Sequence, residues 1–417
     1  MAGAKISKMK SMSIKEPLSM WIKPKKVYIP LIALNDTDIT VLVKKDDYVL
    51  KGTVIGRKKG DLKVQIHSSV SGKVLDIEEC TYLNGNKVKA VVIENDFKEK
   101  TVEQFTADKI NKYTHQEFIE ILKTSGIVGM GGAGFPTYVK YDSNNIKTLV
   151  VNAVECEPYI TSDFSLTSDK CEEILETIDA ILTINKIDKA IIGIKKSNYT
   201  LVNQLKNYMG SYLKIKLELL PNIYPMGWER MLVNKATHQK YDRLPSEKGI
   251  VVSNISTIYA IYEALKYHKP LIERVVTFSG EGLENPKNIL VKIGTKVSDI
   301  LEELKCKNDK VILVAGGAMM GTSVTDDLVV SPNLNAVLLL PDKEEEPTTT
   351  CLRCGRCNEV CPARICPVLI KDAIDNKDKL KKLDVNKCVE CGLCSYICPA
   401  KINVREYVRE AKGKIRD

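Results

Sequence analysis

At 417 residues and 44% hydrophobic content, the chain is too long for one compact core and ordinary in composition for a globular protein. No run approaches ~18 uninterrupted apolar residues, and no apolar stretch follows the basic residues 1–10, so neither a membrane-spanning helix nor a secretory signal is expected. The formal charge of +9 comes from lysines spread along the whole length, with no aromatic-interleaved basic module or zinc finger, which argues against nucleic acid as a partner.

Residues 24–95 read as short strands broken by turn chemistry, with Gly52 and Gly72 where tight turns need them. The run V-K-K-D-D-Y-V-L-K-G-T-V-I-G (43–56) followed by S-S-V-S-G-K-V (68–74) looks like a barrel-sandwich hybrid, the fold of lipoyl and biotinyl carriers. A carrier presents a lysine at a hairpin tip. Here the tip falls near Asp61, with Lys63 two residues off, so a structural or docking module is expected.

A helix is predicted over 115–125, with Phe118, Ile119, Ile121 and Leu122 on its apolar side. It runs into G-I-V-G-M-G-G-A-G-F-P-T-Y-V-K (126–140), where Gly129, Gly131 and Gly134 satisfy G-x-G-x-x-G. The preceding segment is helical rather than a strand, so this is not an ordinary Rossmann fingerprint. What the glycines offer is a backbone whose N–H groups can approach a phosphate or a ring unobstructed. A strand over 147–152 then leads into N-A-V-E-C-E-P-Y (152–159), polar residues at the end of a strand where α/β folds bind ligands. Helix and strand patterns alternate over 169–184, 189–194, 197–208 and 214–219, which predicts a mostly parallel sheet. Glu229 in Y-P-M-G-W-E-R (224–230) and Asn254 ahead of a helical pattern each read as helix-start residues.

From Leu271 the pattern becomes strands flanking one helix, a compact β-grasp module over about 271–322, and the acidic stretch 341–350 reads as a linker. Two copies of C-x2-C-x2-C-x3-C-P follow, from Cys351 to Pro362 and from Cys388 to Pro399. In this arrangement three close thiolates wrap one iron–sulfur cluster and the fourth reaches the other. That assigns Cys351, Cys354, Cys357 and Cys398 to one 4Fe–4S cluster, and Cys388, Cys391, Cys394 and Cys361 to the second. Zinc is satisfied by four ligands and needs no third Cys at this spacing. Of 13 cysteines the runs use eight; the rest, Cys366 among them, are scattered, and thiols kept for cluster assembly imply a reducing compartment. The expected architecture is multidomain α/β and α+β: a barrel-sandwich hybrid over 1–100, an α/β domain over 101–268 that the resemblance given next implies is flavin-type, a β-grasp domain over 269–340 that the same resemblance implies is SLBB-like, and a linker with a ferredoxin-like two-cluster domain over 341–417.

These residues resemble one family closely, the RnfC subunits of the Rnf electron-transport complex. The resemblance rests on G-G-A-G-F-P-T-Y-V-K (131–140), E-C-E-P-Y-I-T-S-D (155–163), Y-P-M-G-W-E-R (224–230), K-P-L-I-E-R-V-V-T (269–277), G-G-A-M-M-G (316–321) and both cysteine runs, and it covers roughly residues 15–410. The central domain is similar to the flavin subunit of respiratory complex I. That likeness implies FMN cradled by Gly131, Gly132, Gly134 and Lys140, with Asn152 and Glu155 on its ring and ribityl chain. It also implies Glu157 beside the nicotinamide of NAD(H) as the catalytic residue, and Tyr224, Glu229 and Asn254 closing the site. The chain departs from the pattern at Val154, where complex I has an acid, at Arg243-Leu244-Pro245, and before Tyr28, where a glycine-rich lead is common.

The implied function is an NADH-linked oxidoreductase subunit on the cytoplasmic side of the membrane. There FMN and two clusters would wire NAD(H) to the ferredoxin-side subunits of an ion-translocating complex. The chain is expected to attach peripherally, through protein partners. Two alternatives are a soluble NADH-dependent reductase, such as a cobalamin reductase or a partner of amino-acid reductases, and a non-catalytic scaffold with ferredoxin-type clusters. Flavin bands in the absorbance spectrum separate the enzymes from the scaffold.

Overall fold

The computed structural model describes residues 2–21, 23–102, 107–143, 145–307, 310–343 and 346–416; residues 344 and 345 of the expected linker lie outside them. An N-terminal segment runs across the molecule before β1 (Ser19–Trp21) joins a sheet built mainly much later in the chain. The next strands are β2 (Lys26–Pro30), β3 (Ile39–Val41), β4 (Tyr48–Val49), β5 (Val54–Lys58), β6 (Gln65–His67), β7 (Gly72–Thr81) and β8 (Lys87–Asn95). They form two sheets, in orders β2-β8-β7-β4 and β3-β5-β6, around a core that includes Val27, Ile29, Ile55, Val74 and Val91. Gly72 is obligatory at its corner, since a Cβ there would lie 1.8 Å from the Glu94 carbonyl oxygen.

Helix α1 (His115–Thr124) starts at a capping box in which Thr114 and Glu117 satisfy each other's backbone N–H, and it buries Phe118 and Leu122. After the glycine-rich loop come α2 (Thr137–Tyr141), β9 (Thr148–Ala153), α3 (Ser162–Asp169), α4 (Cys171–Ile184), β10 (Lys189–Lys195), α5 (Tyr199–Tyr208) and β11 (Ile215–Leu220). Then follow α6 (Glu229–Thr237), β12 (Ile250–Asn254) and α7 (Ile255–Tyr267). The four strands pair parallel throughout in the order β11-β10-β9-β12. Both faces are covered, as a parallel sheet requires. Leu149, Val151 and Ala153 face the larger core with α4 and α7, while Val150 and Val154 face the core that holds Leu232 and Val233 of α6. Gly193 lets α6 approach, because a Cβ there would lie 2.5 Å from Leu232 Cδ1.

The following sheet is larger than the strand pattern of 271–322 implies. It comprises β13 (Glu273–Ser279), β14 (Lys287–Lys292), β15 (Val311–Ala315), β16 (Thr322–Ser323) and β17 (Ala336–Pro341), with α8 (Val297–Leu304) packed in its core. Its order is β1-β14-β13-β17-β15-β16, so the N-terminal β1 extends one edge by pairing parallel to β14. The cysteine-bearing region carries short helices: α9 (Arg356–Glu359), α10 (Pro367–Asp372), α11 (Lys377–Lys382), α12 (Leu393–Tyr396) and the longer α13 (Val404–Arg416). No helix among the described residues is long and apolar enough to cross a membrane.

Candidate cofactor cleft and thiol pockets

The strand order reverses at β9: β10 lies on one side and β12, much later in the chain, on the other. The carboxyl ends of two such strands leave a crevice, the usual ligand position of an open α/β sheet. Asn152 and Asn254 are register partners at that end, and both line a cleft of about 670 Å³. This volume suits a nucleotide-sized ligand. Gly131, Gly132, Lys140, Glu155, Glu157, Tyr224 and Glu229 line the same cleft. Gly134 does not; it lines a smaller cavity on the other side of the loop, with Ala33 and His67.

The glycine-rich loop is tied at both ends and open at its crest. Gly129 N–H donates to the Phe135 carbonyl at 2.8 Å, Gly134 N–H to the Gly129 carbonyl at 3.1 Å, and Met130 N–H to Thr257 Oγ1 at 3.0 Å. Among the described residues the N–H groups of Gly131, Gly132 and Ala133 donate to no protein acceptor. Gly132 has φ of +140° with open space where a Cβ would stand, and Gly131 backs onto Asn254, whose Cβ would be 3.1 Å from an added one. Consecutive unclaimed N–H groups on an unobstructed backbone are an anion-binding arrangement.

Several predicted site residues are already engaged by the protein. Asn152 Nδ2 donates to the Gly227 carbonyl at 2.9 Å, and its Oδ1 accepts from Val154 N–H. Asn254 caps α7, accepting from the Ser256 and Thr257 N–H groups, while its Nδ2 donates to Asp163 at 2.7 Å. Lys140 Nζ donates to the Val252 carbonyl at 3.0 Å, and burial lowers its pKa. Glu229 opens α6 and accepts from the Tyr241 hydroxyl.

Glu155 belongs to a buried acid pair. Its carboxylate accepts from Asp163 N–H at 2.8 Å, and burial raises its pKa to about 7, with Asp163 pushing the same way. The compensating charge comes from the N-terminal segment: Lys10 Nζ donates to Glu155 Oε2 at 3.0 Å and to the Glu155 carbonyl at 2.8 Å. Lys195 reaches the same carbonyl at 3.4 Å, its pKa lowered to about 8 by burial. The segment carrying Lys10 is held by backbone pairing of Ala4 with Tyr224 and by Gly3 N–H on the Val360 carbonyl, next to Cys361.

Glu157 stands where the modules meet. It accepts from the Tyr224 hydroxyl at 2.9 Å and from Met319 N–H at 2.9 Å, and burial raises its pKa. Tyr224 Oη also lies 2.8 Å from the Cys391 carbonyl, so one hydroxyl spans the cleft acid and a thiol-bearing loop. The G-G-A-M-M-G loop makes this approach possible: a Cβ on Gly317 would lie 2.3 Å from Glu157 Oε2, and one on Gly392 would lie 2.8 Å from the Met319 carbonyl.

The thiols fall into the two expected groups. Cys351, Cys354, Cys357 and Cys398 line one pocket, and Cys361, Cys388, Cys391 and Cys394 line another. Cys366 lines neither. Among the described residues no three His, Cys, Asp or Glu side chains converge as a single ion would need. Four thiols ringing a cavity match a four-iron cluster, which stands between its ligands. Cys391 lines both its thiol pocket and the cleft, which places the second group next to the candidate flavin site. The donor sets therefore fit two clusters, and the open glycine crest with its polar walls fits a flavin nucleotide.

Sequence reasoning missed three contributors. Asp163 closes the E-C-E-P-Y-I-T-S-D motif and is the hydrogen-bonding partner of Asn254 and Ser256. Met319 lies in a glycine motif whose role only its contact with Glu157 reveals. Lys10 carries no signal at all, since a lysine in a basic tail looks like any other.

Comparison with known proteins agrees with this geometry. The chain matches the Nuo51 FMN-binding domain family over residues 122–263, the RnfC barrel sandwich hybrid domain over 1–98 and a 4Fe-4S dicluster domain over 344–399. It is 33% identical to the C subunit of the proton-translocating ferredoxin:NAD(+) oxidoreductase complex of Clostridium ljungdahlii, over 87% of this chain and 81% of that protein. It is 32% identical to the C subunit of the Na(+)-translocating complex of Acetobacterium woodii, over 85% and 83% of the two chains. Among solved structures, a chain of an NAD+-reducing NiFe hydrogenase in its H2-reduced state shares the fold. The TM-score is 0.52 at 15% identity, over 75% of this chain and 64% of that one.

Proposed function

The chain belongs to the family of C subunits of ion-translocating ferredoxin:NAD(+) oxidoreductase complexes, and on that premise we propose that it carries electrons between NAD(H) and the partner subunits of such a complex. The observation that carries this reading is the shared wall between cleft and thiol pocket, where Tyr224 joins Glu157 to the Cys391 backbone. FMN, when bound, supplies the exchange between two-electron and one-electron chemistry. The protein supplies binding and orientation. Gly131 and Gly132 present N–H groups to the phosphate end, while Lys140, Asn152, Glu155, Glu229 and Asn254 form the walls of the cleft. Gly134 acts one step back, closing the loop through Gly129. Glu157 sits at the nicotinamide end, held by Tyr224 and Met319 so that its carboxylate has one orientation.

The cluster bound by Cys361, Cys388, Cys391 and Cys394 is then the one next to the flavin, and the Cys351 set lies further along the path. The mixed sheet with α8 is read as the SLBB-like β-grasp domain, a docking module for partner subunits. Eight thiols that must remain reduced for cluster assembly support a peripheral position on the cytoplasmic side of the membrane. Anaerobic addition of NADH to the chain loaded with FMN and clusters tests the assignment. The flavin absorbance should bleach. Bleaching by dithionite but not by NADH would refute it.

A further inference from the structure

Asn333 lies in the connection from β16 to β17, outside both the glycine-rich loop and the parallel sheet, yet its Nδ2 donates to the Gly132 carbonyl at 2.9 Å. Its Oδ1 accepts from the Tyr82 hydroxyl at 2.9 Å, and the Ser331 hydroxyl lies 3.3 Å from the same atom. A carbonyl can only accept, so the amide must turn its NH2 toward Gly132. The oxygen that remains is the one the two hydroxyls can serve. Tyr82 follows β7 of the barrel-sandwich module and is only 5% exposed. One side-chain amide thus links three modules at the crest of the loop.

The crest has little else to hold it. Among the described residues nothing lies within 4 Å of the Cβ position of Gly132, whose φ of +140° is open to glycine and strained for other residues. In a planar trans peptide the Gly132 C=O and the Ala133 N–H point in opposite directions, so fixing the carbonyl fixes the donor. Among the described residues that N–H has no acceptor. Arg274 braces the same two segments from behind, with Nη1 on the Pro332 carbonyl at 2.6 Å and 3.4 Å from the Met130 carbonyl.

We propose that Asn333, oriented by Tyr82, is a positioning residue that sets the Gly132–Ala133 peptide for the phosphate of the flavin nucleotide. The inference rests on the flavin reading above and adds a specificity to it: Asn333 should matter for FMN and not for riboflavin, which lacks the phosphate. Titration of FMN and of riboflavin into the flavin-free, cluster-loaded full chain, followed by flavin fluorescence quenching, measures this. Asn333→Ala should weaken FMN by about tenfold or more, the scale of one hydrogen bond to a charged group, and leave riboflavin affinity nearly unchanged. Tyr82→Phe, which keeps the ring and removes only the orienting hydroxyl, should show a smaller loss with the same selectivity, and it carries the test should Asn333→Ala fail to fold. Equal weakening of both flavins would reduce Asn333 to a packing contact and overturn the proposal, as would an unchanged preference for FMN. Wild-type protein that binds neither flavin would overturn the flavin reading itself, a result distinct from either.

Discussion

Replacing Lys10 by Met removes the cation that donates to the buried Glu155 carboxylate, and the consequence should depend on pH. The Lys10 and Glu155 side chains are 12% and 6% exposed, so this is a buried pair rather than a surface one. Removing one partner of a buried pair costs about 3–5 kcal/mol while the other stays charged. Glu155 can escape by taking a proton. Its pKa of about 7 already exceeds the ordinary 4.5, so the folded state binds that proton more tightly than the unfolded chain. Wild-type stability from this group therefore falls as pH rises from about 4.5 to about 7 and is level above. Lys10 lowers that pKa, so without it the fall continues to higher pH. The variant should lose about 1 kcal/mol near pH 6, for the missing hydrogen bonds, and about 3 kcal/mol or more near pH 8.5. Trp228 lines the cleft and reports on this module, so urea unfolding followed by tryptophan fluorescence at both pH values is the assay. Adding Glu155→Gln should abolish the difference between them. An equal deficit at both pH values would refute the reasoning, because it would mean that Lys10 is not the counter-charge of Glu155.

Three further outcomes follow from the geometry. Cys398→Ser should impair the cluster of Cys351, Cys354 and Cys357 and spare the other, because it lines their pocket; iron analysis with EPR reads this, and loss of the Cys388 cluster instead would reverse the pairing. Gly132→Val should abolish FMN binding while both clusters and the melting transition persist, since the position has open space but a φ of +140° that a β-branched residue resists; unfolding would make the glycine structural. Glu157→Gln should keep FMN yet lower kcat/KM for NADH by roughly one to two orders of magnitude, as expected for about 1.5–3 kcal/mol of charge-assisted hydrogen bonding. Unchanged kinetics would place the nicotinamide elsewhere.

The parts of this molecule that follow a local period were legible in the sequence. The helices and strands expected over 115–125, 147–152 and 169–219 match observed elements, because a parallel sheet buried on both faces needs apolar strands spaced by amphipathic helices, whereas the short α2, α3 and β12 are not anticipated. The cysteine spacing led directly to the two thiol groups, since the motif encodes which sulfurs share a cavity. What the sequence hid is long-range. Asn152 and Asn254 stand out as polar residues at strand ends, but nothing local shows that their amides are engaged by Gly227 and Asp163. Gly134 looks equivalent to its neighbours in a glycine run, yet the turn places it on the far side of the loop. Lys10 and β1 lie in a tail without periodicity, and their places beside Glu155 and β14 are set by partners more than a hundred residues away. Tyr82 and Asn333 meet across 251 residues, a contact that no spacing rule anticipates.

In this reading one chain holds a flavin nucleotide in the cleft beside two thiol-bound clusters. Flavin and iron content of the full chain, purified and reconstituted anaerobically and then freed of unbound cofactor, tests it most directly. About one FMN and about eight irons per chain are expected, with the flavin lost and the iron kept in Gly132→Val. Iron at that level with no FMN retained by the wild-type chain would contradict it and leave a protein that carries clusters only.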